Sequence, residues 1–148
     1  MDGDTSVLLA IEQIKLLKAR YFRCMDAKDW AGLRDVFTAD LAADFRDSAQ
    51  PRNEALLIHG ADAYMAMLAP ALADLITVHH GHMPEISLTS PTTATGIWAM
   101  EDKLWAVAGG MPWRHLHGYG HYHETYRKEA DGWRIASIRL TRLHLHVA

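Results

Sequence analysis

A single cysteine, Cys24, stands in a chain of 148 residues, so neither an intramolecular disulfide framework nor a cysteine zinc cluster can form. Basic residues are not in excess. Fifteen Lys and Arg against eighteen Asp and Glu give a net charge of −3, which argues against the electrostatic footprint of a nucleic-acid binder. No apolar run approaches the roughly 20 residues that span a bilayer. The first residues, Met1-Asp2-Gly3-Asp4, are acidic where a secretory signal would be basic, so a cytoplasmic location with no membrane partner is expected. Internal repeats, linkers rich in Gly, Ser and Pro, and P-loop or GxGxxG fingerprints are missing as well. What remains is 49% apolar and 22% charged, an ordinary globular composition. The length suits one domain over residues 1–148, large enough to enclose a pocket within its core.

Histidine is the residue in surplus: there are ten, and nine of them follow residue 78. The chain also changes character near residue 76. Before it, Val7, Ile11, Ile14, Leu17, Tyr21 and Cys24/Met25 recur at helical spacing and make an apolar stripe, with Lys15, Lys18 and Arg23 expected outside it. A short second helix is predicted after the N-cap Asp29, carrying Trp30, Leu33, Val36 and Phe37. A strand follows around 41–46, then a third helix over 61–73 that Pro70 should end or kink. After residue 76, four long segments read as strands, over 76–88, 92–105, 114–128 and 133–147, separated by Ser90-Pro91-Thr92, Gly109-Gly110-Met111-Pro112 and Ala130-Asp131-Gly132. Helices first and an antiparallel sheet afterwards is an α+β plan. A curved sheet wrapped over helices leaves a concave site for a small-molecule substrate.

Cys24-Met25-Asp26-Ala27-Lys28-Asp29-Trp30, Leu33-Arg34-Asp35-Val36 and Asp44-Phe45-Arg46 stand in the order found in fungal scytalone dehydratases. Thr77-Val78-His79, Gly96 and Asp131-Gly132-Trp133-Arg134-Ile135 continue the match. From about residue 7 to 142 the chain resembles the SnoaL-like, scytalone dehydratase-like branch of the nuclear transport factor 2-like superfamily. The resemblance implies an α+β cone, with helices in the concave face of a curved, mostly antiparallel sheet. It places the family's catalytic Asp–His pair on Asp26 and His79. The two substrate-binding tyrosines of scytalone dehydratase fall on Met25 and Phe45, its second histidine near Leu104, and its serine and asparagine on Gly120 and Tyr122, so scytalone itself is not the implied substrate. A bile-acid dehydratase branch carries a tyrosine at the position of Tyr21. The lindane dehydrochlorinase branch carries a lysine there, and an arginine near Arg139.

A histidine titrates near neutral pH, and a neighbouring carboxylate fixes its tautomer and stabilises its charged form; His79 with Asp26 is thus a candidate base that removes a proton beside a carbonyl. Tyr21 is a candidate hydrogen-bond donor to that carbonyl. By the family register, Trp98 and Met100 point inward as an apolar wall, and Tyr122 and Glu124 follow on the next strand. Glu124 reads as a second acid or as a partner of Arg139, and either Arg139 or Arg142 enters the cone. The pairs His80/His82, His115/His117, His121/His123 and His144/His146 have chelating spacing. Strand parity turns the first three away from His79 and Tyr122, so no catalytic metal and no cofactor is expected. The outer imidazoles are expected at a homodimer or higher homo-oligomer interface that protonation near pH 6 would weaken. The function these readings support is a cofactor-independent, dehydratase-like lyase acting on a hydroxylated cyclic carbonyl compound. An isomerase, a polyketide cyclase and a non-catalytic binding module are the alternatives.

Overall fold

The computed structural model describes residues 3–148. Helix α1 (Gly3–Asp26) is held by an apolar face of Ile14, Leu17, Tyr21, Cys24 and Met25, all buried. Lys18 is buried in the same stripe, contrary to the expectation that it lies outside, while Val7 is exposed. The helix ends in a left-handed turn: Lys28 has φ of 60°, and the Asp29 amide donates to Cys24 O at 2.8 Å, closing the last turn as C-terminal caps do. Asp29 then caps α2 (Trp30–Arg34), its carboxylate accepting from the Gly32 amide at 3.0 Å. The second helix is shorter than predicted. Phe37 opens strand β1 (Phe37–Asp44) instead, because Phe37 and Leu41 bury against the core from an extended backbone.

A 3₁₀ turn (Glu54–Leu56) and the short strand β2 (Leu57–His59) lead into α3 (Ala61–Leu72). Pro70 lies inside α3 and the helix stops two residues later, consistent with the missing amide that proline imposes. The long strands follow as β3 (Leu75–Ser90), β4 (Thr93–Ala106), β5 (His115–Glu129) and β6 (Gly132–Val147). They form one six-stranded sheet in the order β2-β1-β6-β5-β4-β3, in which β1 runs parallel to β6 and every other pair is antiparallel. This is the α+β plan read from the sequence. Among the described residues no helix is long and apolar enough to cross a membrane.

The sheet's inner face is set by parity and by bulges. On β4 and β5 the even residues point inward, so Ala94, Trp98, Met100 and Asp102, and Tyr122, Glu124 and Tyr126, are all buried. On β6 the inward set changes. Trp133 and Ile135 are buried, then Ile138 and Leu140, because the pairing slips between Thr125 and Tyr126 and leaves Ala136 as an extra residue. A bulge inserts one residue and reverses which parity faces the core. A second bulge interrupts β3 after His82, beyond His79.

Candidate active site

The last residue of α1 faces the middle of β3. Asp26 accepts three hydrogen bonds there: from His79 Nδ1 at 2.7 Å, from the His79 amide at 2.9 Å and from Thr77 Oγ1 at 2.9 Å. Burial alone would raise this carboxyl, but the hydrogen bonds from His79, the attraction of its ring and the Thr77 hydroxyl together hold it below the ordinary 3.8. An ionised carboxylate can only accept, so Nδ1 carries the proton in the neutral His79 ring, the tautomer in which Nε2 keeps its lone pair. Lys28 Nζ donates to Thr77 Oγ1 at 2.9 Å, tying the helix-end turn to the same strand.

His79 borders a cavity of about 310 Å³. Tyr21 and Met25 from α1, Phe45 after β1, Tyr64, Met67, Leu68 and Leu72 from α3, and Leu104, Leu116 and Leu140 from the sheet supply its walls. The polar groups gather at one end, where Tyr122, Asp102 and Arg142 join His79, Tyr21 and Tyr64. Tyr21, Tyr64 and Tyr122 are fully buried, and burial first, then their mutual contacts and nearby carboxylates, push the Tyr21 and Tyr122 hydroxyls well above the ordinary range. Both therefore remain protonated hydrogen-bond donors at neutral pH. A larger surface groove, about 730 Å³, lies between the start of α1 and the β3–β4 turn, but among the described residues its only titratable side chain is Lys128. The smaller cavity is the one with chemistry in its wall.

Arg142, not Arg139, is the arginine that reaches the cone. Its guanidinium holds Asp102 by two contacts, Nη1 to Oδ1 at 2.6 Å and Nη2 to Oδ2 at 3.0 Å, and its Nε donates to Ser48 O at 3.1 Å. Arg139 is exposed on the outer face. The bulge at Ala136 is the reason: without it, the parity of Trp133 and Ile135 would carry to Arg139. Gly118 makes room for the pair, since a Cβ there would collide with Arg142 Nη1 and Asp102 Oδ1.

Glu124 is not Arg139's partner either. Its Oε2 receives Lys18 Nζ at 2.6 Å, both side chains being 0% exposed, and its Oε1 accepts from Tyr126 at 2.6 Å. Trp98 donates to the Tyr126 hydroxyl at 2.9 Å; with Met100 it points inward as expected, but neither borders the cavity, and both belong to the core behind it. Met25, Phe45, Tyr21, Tyr122 and His79 do border it. Sequence reasoning missed Tyr64, which stacks on Phe45 with ring centroids 5.5 Å apart and planes 5° apart; the family register places Asp102 inward on β4 but gives it no role. On the outer face, His80, His82 and His117 approach Glu101 at 3.6, 3.8 and 3.2 Å, but among the described residues no three ligating side chains are arranged to hold a metal ion.

The comparisons with known proteins agree with this fold. A family model described as a SnoaL-like domain matches residues 6–139. A protein of Gibberella zeae described as probable cyclase FGR4 is 25% identical over 150 residues, covering 88% of this chain and 89% of its own. The structure of a putative scytalone dehydratase from Novosphingobium aromaticivorans superposes with a TM-score of 0.81 at 18% identity, over 95% of this chain and 89% of that one. A hexachlorocyclohexane dehydrochlorinase, LinA type 2, gives a TM-score of 0.80 at 14% identity, over 99% and 93%.

Proposed function

The chain belongs to the SnoaL-like domain family, a group that includes dehydratases, dehydrochlorinases and cyclases, and from that premise we propose that it is a dehydratase-like lyase acting on a small hydroxylated cyclic carbonyl compound. The observation that carries the reading is the Asp26–His79 contact of 2.7 Å at the wall of a largely apolar cavity. A module that only binds a partner has no need of an oriented, carboxylate-backed imidazole with its second nitrogen free.

In the proposed reaction His79 Nε2 takes the proton on the carbon next to the carbonyl, and Asp26 stabilises the imidazolium that results. The electron pair of that C–H bond moves toward the carbonyl oxygen, where Tyr21 or Tyr122 donates a hydrogen bond to the developing oxyanion. Return of the electrons forms the carbon–carbon double bond and breaks the bond to the β-hydroxyl. That hydroxyl takes the proton back from His79 Nε2 and departs as water, leaving the imidazole neutral. Every proton in this cycle is carried by the chain's own side chains. Met25, Phe45 and the leucines give the ring system an apolar bed, and Arg142 brings a guanidinium to the wall with its charge already balanced by Asp102. This favours an uncharged substrate over a carboxylate. A cyclase reading, supported by the similarity to the protein described as a probable cyclase, begins with the same proton removal and differs in what the carbanion attacks.

The test is turnover of a panel of β-hydroxylated cyclic ketones by wild type and by His79→Ala. Loss of at least a hundredfold in kcat with the fold intact is the expected result, in keeping with the 10²–10⁴ contributed by a positioned base. Equal turnover by the two proteins would overturn the reading.

A further inference from the structure

Beneath the two tyrosines of the polar end lies an ion pair that the proposed reaction does not use. Lys18 and Glu124 come from α1 and β5, 106 residues apart, and neither side chain touches solvent. The Lys18 ammonium sits 3.6 Å from the centroid of the Tyr21 ring and 3.8 Å from that of Tyr122. Phe22 is farther, at 5.0 Å. The cation is therefore held against the faces of two aromatic residues that both line the cavity.

Removing two charges from water is costly, and an apolar pair of similar volume in the same place would commonly be as stable or more so. Stability is thus a weak reason for an ion pair here, and its location supplies a better one. A cation near a ring face is attracted to the negative side of the quadrupole, and this attraction depends on ring orientation in a way that aliphatic packing does not. Glu124 is in turn fixed by the Tyr126 hydroxyl, and Tyr126 by Trp98, so the ammonium has a rigid seat. Gly96 is part of that seat, because a Cβ there would strike the Tyr126 hydroxyl.

We propose that Lys18, with Glu124 as its counter-ion, is a positioning residue: seated between the Tyr21 and Tyr122 rings, its ammonium fixes them with their hydroxyls toward the cavity and strengthens them as donors to a developing oxyanion. This rests on the proposed function for its kinetic consequence but not for its structural one. Lys18 touches no substrate; it acts through the two phenols. Positive charge behind a phenol draws electron density from the hydroxyl, and a better donor gains most when negative charge appears on the acceptor, that is, in the transition state. The effect belongs in kcat more than in KM.

Lys18→Met alone leaves Glu124 buried without a partner and can unfold the protein, so the informative variant is the double substitution Lys18→Met with Glu124→Leu, which removes both charges and keeps the volume. Its melting temperature is expected to match or exceed that of wild type, with kcat on the responsive ketone lowered ten- to a hundredfold and KM changed less than threefold. In a Tyr21→Phe background the same double substitution should cost a smaller factor, because part of its action runs through Tyr21. A readout without substrate accompanies it: 3-fluorotyrosine placed at position 21 or 122 should give one narrow ¹⁹F line in wild type and a broadened or split line in the charge-free variant at equal thermal stability. Narrow, unshifted lines together with kcat within twofold of wild type would overturn the proposal. Should wild type and His79→Ala be equally inactive on every ketone, the proposed function fails, and the fluorine lines alone decide the seating of the rings.

Discussion

Replacing Asp26 by Asn tests the dyad with the smallest possible change of shape. The carboxylate accepts from three donors, two of them at Oδ1. An amide offers one acceptor and one donor end. With its oxygen toward Thr77 and the ring, its NH₂ faces the His79 amide, and two donors oppose each other. Turned the other way, its NH₂ donates to Nδ1 and forces the proton onto Nε2, which abolishes the base. The charge is lost in both poses. A carboxylate about 4 Å from an imidazolium contributes about 4 kcal/mol at an effective dielectric near 20. Asp26's side chain is 25% exposed, so a figure near 3 kcal/mol is more apt, or about two orders of magnitude in kcat. The assay is steady-state kinetics of Asp26→Asn beside wild type at pH 7 to 8, with thermal melts to verify folding. kcat should fall roughly a hundredfold while KM moves little, since the lost interaction is strongest when the ring is charged. Retention of half the wild-type kcat would refute the assignment. The same substitution carries a signature in acid. Because the folded Asp26 carboxyl lies below the ordinary 3.8, its contribution to stability is complete above that value and fades as pH falls through the lowered folded value. Asp26→Asn should therefore be less stable than wild type at neutral pH and lose less of its stability on acidification below pH 4.

Three further outcomes follow from the site's surroundings. Arg142→Met strips Asp102 of its partner at a buried wall and should cost about 3 kcal/mol, read as a lower melting temperature, whereas Arg139→Met on the outer face should stay within about 0.5 kcal/mol; equal effects of the two would contradict the register of β6. Gly118→Ala pushes a methyl group into the Arg142–Asp102 contact and should destabilise by about 1–3 kcal/mol, with an unchanged melting curve as the refuting result. The outer-face imidazoles, among them His80, His82 and His117 about Glu101, are proposed as a self-association surface that protonation would weaken, so the size-exclusion profile should shift toward smaller species between pH 8 and pH 5.5, and an identical profile at both would count against it.

Much of this architecture was written in local pattern. The helical stripe of α1 and the two-residue alternation of β4 and β5 could be read directly, because each depends on a period of 3.6 or 2, whereas the inward register of those strands and the pairing of Asp26 with His79 came from the family resemblance. What escaped depends on contacts between distant segments. Lys18 stands four residues after Ile14 and three before Tyr21, squarely on the buried stripe, yet its charge argues for solvent until Glu124 is known to face it from β5. Arg139 comes from the resemblance to the dehydrochlorinase branch, with Arg142 left as the alternative; parity counted along β6 cannot decide between them, because nothing in Ile135-Ala136-Ser137 announces a bulge. Tyr64 was obscured by lying on α3, whose Ala and Met content gives only a weak stripe; its stack on Phe45 joins elements that approach only in the folded chain. Phe37 was read as helical from its spacing to Leu33, but a five-residue helix has little propensity to defend its end against a strand that buries the same side chain.

The extra residue at Ala136 makes β6 behave like a text with a frameshift. Downstream of it the inner face is spelled Ile138, Leu140, Arg142; the same residues laid out as a regular strand, with none looped out at Ala136, would keep the upstream frame and spell Ser137, Arg139, Thr141. The same composition would then line the cone with a hydroxyl, a cation one step nearer the core, and a second hydroxyl, while Asp102 lost the guanidinium that balances it. Within a fold shared at sequence identities below 20%, the gain or loss of a single bulge can thus exchange the polar vocabulary of the pocket without altering a connection or the Asp26–His79 pair.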